Sequence, residues 1–123
     1  MPGRTSSAVI LLLAACLIAA GCGKSNEDRI KETSDAIVAA GERNDFAGAC
    51  SYATPELLST YGGPAGCASA LAAAVQRVGF DFRSLHIAKV SVLGTSAVVT
   101  VDQPFDFQVL VQKVNGRWLV GGV

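Results

Sequence analysis

The feature that most constrains the fold is a change of hydrophobic period near Leu85. Before it, apolar residues recur at three- and four-residue steps; after it they alternate every second residue and are rich in Val. The first pattern is that of helices and the second that of half-buried strands. Ser25 followed by Asp28 caps a first helix over residues 26–40, with Ile30, Ile37 and Val38 on one face and Gly41 as its stop. A second helix starts at Asn44 or Asp45 and buries Phe46, Ala49 and Cys50. Thr54-Pro55-Glu56 opens a third, short one before the Gly62-Gly63-Pro64-Ala65-Gly66 loop. In a last helix Cys67, Leu71, Ala74, Val75 and Val78 form the apolar face. Then come strands: Ala88, Val90 and Val92 inward, a turn at Gly94-Thr95, and Ala97, Val99 and Val101 inward. A third strand carries Phe105, Phe107, Val109 and Val111, and Asn115-Gly116 turns into a fourth with Trp118 and Val120 inward. Helices followed by an antiparallel meander make an α+β domain, helices covering one face of a curved sheet of about four strands.

The amino terminus obeys a different logic. Arg4 precedes an apolar run from Ala8 to Ala20, about a dozen residues where crossing a bilayer takes roughly 20. The run closes on Ala19-Ala20-Gly21-Cys22. A basic start, the core Val9-Ile10-Leu11-Leu12-Leu13, then small residues and Cys resemble a bacterial lipoprotein export signal. The position three before the Cys usually carries Leu in such signals and here is Ala19. Leu13-Ala14-Ala15-Cys16 fits that local pattern better, but a cut there leaves a short hydrophobic core and a mature chain opening on apolar Leu17-Ile18. The resemblance implies a signal peptide over 1–21, a diacylglycerol thioether and acyl chains on Cys22 as the sole non-protein group, a tether over 22–25, and a single domain over 26–123. The expected location is the cell membrane, lipid-anchored on its extracytoplasmic face. Gly23, Lys24 and Ser25 span only about 10 to 15 Å at roughly 3.3 to 3.6 Å per residue, so the domain is expected against the headgroups.

The cysteines follow from this. With Cys16 removed and Cys22 acylated, Cys50 and Cys67 are left for each other, and outside the cytoplasm such a pair forms a disulfide. Closing a loop of about 17 residues contributes roughly 3 kcal/mol. Their spacing is not that of a redox motif, and one His cannot complete a zinc site with them. Ten basic and ten acidic residues, interspersed along the chain, form no basic stripe, which excludes nucleic acid as a partner.

The order of a helix, a short Cys-bearing helix, Thr54-Pro55-Glu56-Leu57-Leu58, a Gly-rich loop, a second Cys-bearing helix and strands ending in Gly116-Arg117-Trp118-Leu119-Val120 resembles small actinobacterial-type lipoproteins of the nuclear transport factor 2-like superfamily. That resemblance covers nearly all of the domain. It implies a cone in which the sheet wraps against helices and often encloses an apolar cavity, and a superfamily that holds isomerases, dehydratases and cyclases beside non-catalytic members. Fold alone does not choose among them.

Chemistry is sparse. Asp81, His86, Asp102 and Asp106 lie in or beside strands, and Tyr52 and Tyr61 in the helical half. They do not reproduce the tyrosine-plus-two-aspartate set of the isomerase branch, nor a His-Asp dyad at matching positions. No catalytic or metal-binding residue is assigned. Tyr52, His86 and Trp118 are the candidates to line a cavity, His86 by sharing parity with Ala88 and Val90. Phe80-Asp81-Phe82 and Phe105-Asp106-Phe107 read as the alternation of half-buried strands or strand ends. The expected function is a non-catalytic module at the membrane surface that binds an envelope protein or a small apolar ligand, with a dimer possible. The alternatives are an isomerase-, dehydratase- or cyclase-type enzyme on a small hydrophobic substrate, and a structural or stress-related envelope protein.

Overall fold

A computed structural model describes residues 24–123; residues 1–23, with Cys16 and Cys22, lie outside the described part. Helix α1 (Asn26–Glu42) begins with a full capping box: Asp28 N–H donates to Ser25 Oγ at 3.1 Å, and Ser25 N–H to the Asp28 carboxylate at 3.4 Å. It does not stop at Gly41. That residue is inside the helix and buried beneath Phe82, where a Cβ would lie 2.5 Å from ring carbons. Gly41 permits a close approach, and the chain leaves the helix at Arg43 and Asn44, the latter at φ +57°.

Helix α2 (Phe46–Cys50) is capped by Asp45, whose carboxylate accepts from Gly48 N–H at 2.9 Å. Helix α3 (Pro55–Thr60) is capped by the buried Thr54, whose hydroxyl accepts from Leu57 N–H at 3.2 Å. Helix α4 (Pro64–Val78) starts directly after Gly63, so Pro64–Gly66 form its first turn and not a loose connector. The disulfide Cys50–Cys67, with Cα atoms 6.1 Å apart, joins α2 to α4. Of the stripe expected to be buried on α4 only Cys67 is; Leu71 and Val75 are half-buried, and Ala74 and Val78 exposed. The reason is length: α4 leans on α2, and five helical residues, about 7.5 Å, cannot cover fifteen, about 22 Å.

A short 3₁₀ turn (Phe82–Ser84) leads into the antiparallel sheet β1 (His86–Leu93), β2 (Ser96–Gln103), β3 (Phe107–Val114) and β4 (Arg117–Gly122), paired in that order. Strand β1 departs from strict alternation, because its register slips between Ile87 and Lys89. A bulge consumes one residue and reverses parity beyond it. Ile87 and Val90 therefore pack on the core, while Ala88, expected inside, is exposed. Val92, also expected inside, keeps the parity of Val90 and is 37% exposed beside the hairpin-tip residue Leu93. Phe105 also lies outside its expected strand. It belongs to the β2–β3 turn, which begins with the cis Gln103–Pro104 bond, and is half exposed. The β3–β4 turn has Asn115 and Gly116 at φ +51° and +79°, the geometry that Asn-Gly favours.

Helix α1 lies on the sheet, its Ile30 packed with Ala97, Val99, Val101, Val111 and Trp118. The outer edge of β4 is closed by the α2–α3 link: Val120 N–H donates to the Tyr52 carbonyl at 2.7 Å, and Thr54 N–H to the Val120 carbonyl at 2.8 Å. The molecule thus has two ends. One carries the start of α1, where Lys113 Nζ reaches Asn26 Oδ1 at 3.5 Å, and the Gly94-Thr95 and Asn115-Gly116 turns. The other carries Gly41, Phe82 and the β2–β3 turn. Among the described residues no helix is long and apolar enough to cross a membrane.

Candidate functional site

The start of α1 and the start of β4 frame a cleft of about 480 Å³. On the helix side stand Arg29, Glu32, Thr33 and Ala36, whose spacing of three, four and seven residues is one helix face. On the other side stand Gly116, Arg117 and Trp118, with Tyr52 beside them and Lys24 at the amino-terminal end. Two bonds fix the walls. Thr33 Oγ1 donates to the Trp118 carbonyl at 3.2 Å, tying α1 to β4, and the Tyr52 carbonyl is held by Val120.

The electrostatics of the lining are lopsided. Three cations, Lys24, Arg29 and Arg117, face one carboxylate, Glu32, leaving two positive charges in excess. Lys24 Nζ and Glu32 Oε1 pair at 2.6 Å. The Arg117 guanidinium lies over the Tyr52 ring, 6.0 Å from its centroid, a contact that limits its freedom. Neither Arg29 nor Arg117 has an acid within ion-pair distance among the described residues, and residues 1–23 contain no Asp or Glu. Trp118, 2% exposed and packed in the core, also lines the cleft, and its indole Nε1 is buried with no hydrogen-bond partner among the described residues. Such a donor costs about 1 to 3 kcal/mol.

Of the three candidate cavity residues, Tyr52 and Trp118 meet in this cleft and His86 does not. His86 is at the other end of the sheet, its side chain 62% exposed, with Nδ1 2.7 Å from Asp102 Oδ1. No His-Asp pairing was expected: counting back from the Gly94-Thr95 turn sets His86 opposite Gln103, whose neighbour Asp102 would face the other side. The two meet at the register shift between His86 and Ile87, which leaves Asp102 without a partner on β1. The two Phe-Asp-Phe segments also converge there. Phe80 packs edge-on against Phe82, Phe105 and Phe107 with ring centroids 5.0, 6.1 and 6.4 Å apart, while Asp81 caps the 3₁₀ turn by accepting from Arg83 N–H at 3.0 Å.

Lys24, Arg29, Glu32 and Arg117 were missed as site residues. The stripe from Arg29 to Ala36 is legible on a helical wheel, but that it faces Arg117 depends on packing between segments some 85 residues apart. Among the described residues no group of three or more His, Cys, Asp or Glu comes together as a metal site. No family model matches the chain, and no curated protein or solved structure is significantly similar to it.

Proposed function

We propose that this chain is a lipid-anchored, non-catalytic binding domain on the extracytoplasmic face of the cell membrane, a small cone of the nuclear transport factor 2-like type whose binding site is the α1–β4 cleft. One observation carries the reading: Lys24, a wall of the cleft, stands two residues after Cys22. Two residues span at most about 7 Å. An acylated Cys22 therefore holds the cleft at headgroup level. The non-catalytic part is supported by the lining itself. Its carboxylate is ion-paired to Lys24, and the chain's one His is at the far end of the sheet, so no matched acid and base face the cleft.

Metabolic labelling with a clickable fatty acid, followed by membrane fractionation, tests the anchor. Cys22→Ala should lose the label and either leave the membrane fraction or remain unprocessed, while Cys16→Ala should be anchored normally. Full acylation of the Cys22→Ala protein would overturn the assignment. The binding role is read by mass spectrometry of the native protein for retained small molecules and crosslinked neighbours, and finding neither would remove it.

A further inference from the structure

We infer that the α1–β4 cleft binds a phosphate group, with Arg29 and Arg117 as its ligands and the headgroup of an anionic phospholipid as its source. This rests on the cleft being the binding site and deepens that reading by giving the occupant a chemical class.

The lining selects for charge. Two guanidinium groups without carboxylate partners border one cleft of about 480 Å³, enough for a small phosphorylated group and smaller than a folded partner requires. Arginine offers a planar fork of donors that matches phosphate oxygens two at a time. Arg117 is steadied over Tyr52, so less side-chain freedom is lost on binding. Glu32 does not cancel this field, because Lys24 already neutralises it at 2.6 Å. Of the other acids near the start of α1, Glu27 pairs with Lys31 at 3.3 Å, while Asp28, which closes the capping box, keeps its charge and does not line the cleft.

Position selects the source. The end of the molecule that holds the cleft also carries Lys113, which reaches Asn26, and the tip of the β1–β2 hairpin, where Leu93 is 85% exposed. Cations around a cleft, one of them, Lys24, two residues from the proposed lipidation site, and an exposed Leu at the same end fit an anionic headgroup layer. A free phosphate ester presents the same group to the same arginines, and the experiment separates the two.

Trp118 is the chain's single Trp and lines the cleft, so its emission reports occupancy. Purified full chain in neutral detergent micelles at fixed ionic strength is titrated with phosphatidylglycerol, with phosphatidylcholine, and separately with soluble glycerol phosphate. A saturable change with phosphatidylglycerol and none with phosphatidylcholine is expected. Glycerol phosphate should act at concentrations at least about tenfold higher; equal potency would assign the site to a soluble phosphate ester instead and overturn the lipid source. Arg29→Gln and Arg117→Gln should each weaken the response by about tenfold or more, the loss of one charge-assisted contact. Arg77→Gln and Lys89→Gln, on α4 and β1, should leave it unchanged. Arg117→Lys keeps the charge and loses the fork, and should fall between. Equal weakening by all four Gln variants would reduce the effect to net charge and overturn the site, as would the lack of any saturable change. The Cys22→Ala protein should still bind glycerol phosphate, so failure of the anchor and failure of the cleft are told apart.

Discussion

At the scale of single residues, Gly41 and Trp118 show how the fold uses positions whose role lies far away in sequence. Gly41→Ala would gain roughly 0.5 to 1 kcal/mol of helix propensity. It would also drive a methyl group into Phe82, which is 8% exposed and cannot swing clear; overpacking of this kind costs about 1 to 3 kcal/mol. The clash wins, and urea denaturation should show Gly41→Ala less stable by about 1 kcal/mol or more. Gly122→Ala, where a Cβ meets nothing within 4 Å, should stay within about 0.5 kcal/mol of the parent. A midpoint for Gly41→Ala at or above the parent's would show that the Phe82 ring has room to give. Gly41 looks like a helix stop because Gly is the commonest one. Its actual partner is 41 residues on, and nothing local announces it. Trp118 was legible as core, since its parity is fixed by the Asn115-Gly116 turn. That its indole N–H lacks a partner is a property of the packed environment alone.

At the scale of elements, the parts read correctly are those whose cause is local. Ser25 with Asp28, Asp45 as one of the two caps considered beside Asn44, and Thr54-Pro55 place three helix starts through short-range hydrogen bonds, and Asn115-Gly116 places a turn through positive φ. The parts misread have non-local causes. The bulge at Ala88 answers to pairing with β2, and the exposure of α4 answers to the shortness of α2. This second case has a measurable consequence. Helix α4 is held by one buried residue, Cys67, and by its disulfide to α2. Reducing that link in the form of Cys50→Ala with Cys67→Ala should cost roughly 3 kcal/mol. The loss should also be uneven: amide hydrogen exchange in α4 should accelerate well before that of β2 and β3, whose Val99, Val101 and Val111 stay in the core. Uniform acceleration across helix and sheet would instead mean that α4 and the sheet unfold as one unit.

At the scale of the whole molecule, sheet and helix together define an axis. Lys24, the cleft, Leu93 and the two hairpin turns share one end; the phenylalanine cluster, His86 and Asp102 share the other. Strands of eight residues separate the ends by about 26 Å at roughly 3.3 Å per residue, more than twice a Debye length at physiological ionic strength. On the proposed anchoring through Cys22, the cleft end would feel the surface potential of an anionic membrane and the His86 end would not. The proposed tether, residues 22–25, would then leave little freedom to invert this order. Spin labels on Thr95→Cys and Asp106→Cys, both exposed and at opposite ends, make the orientation observable on the processed, lipidated protein in phospholipid vesicles, because Cys50 and Cys67 are bonded to each other and, on the proposed processing, Cys16 is removed and Cys22 is acylated. The Thr95 label should broaden and lose accessibility to a water-soluble relaxing agent when anionic lipid is present, and the Asp106 label should keep the accessibility it has in detergent-free buffer. If both labels respond alike, the domain tumbles on its tether, and the headgroup layer no longer has privileged access to Arg29 and Arg117.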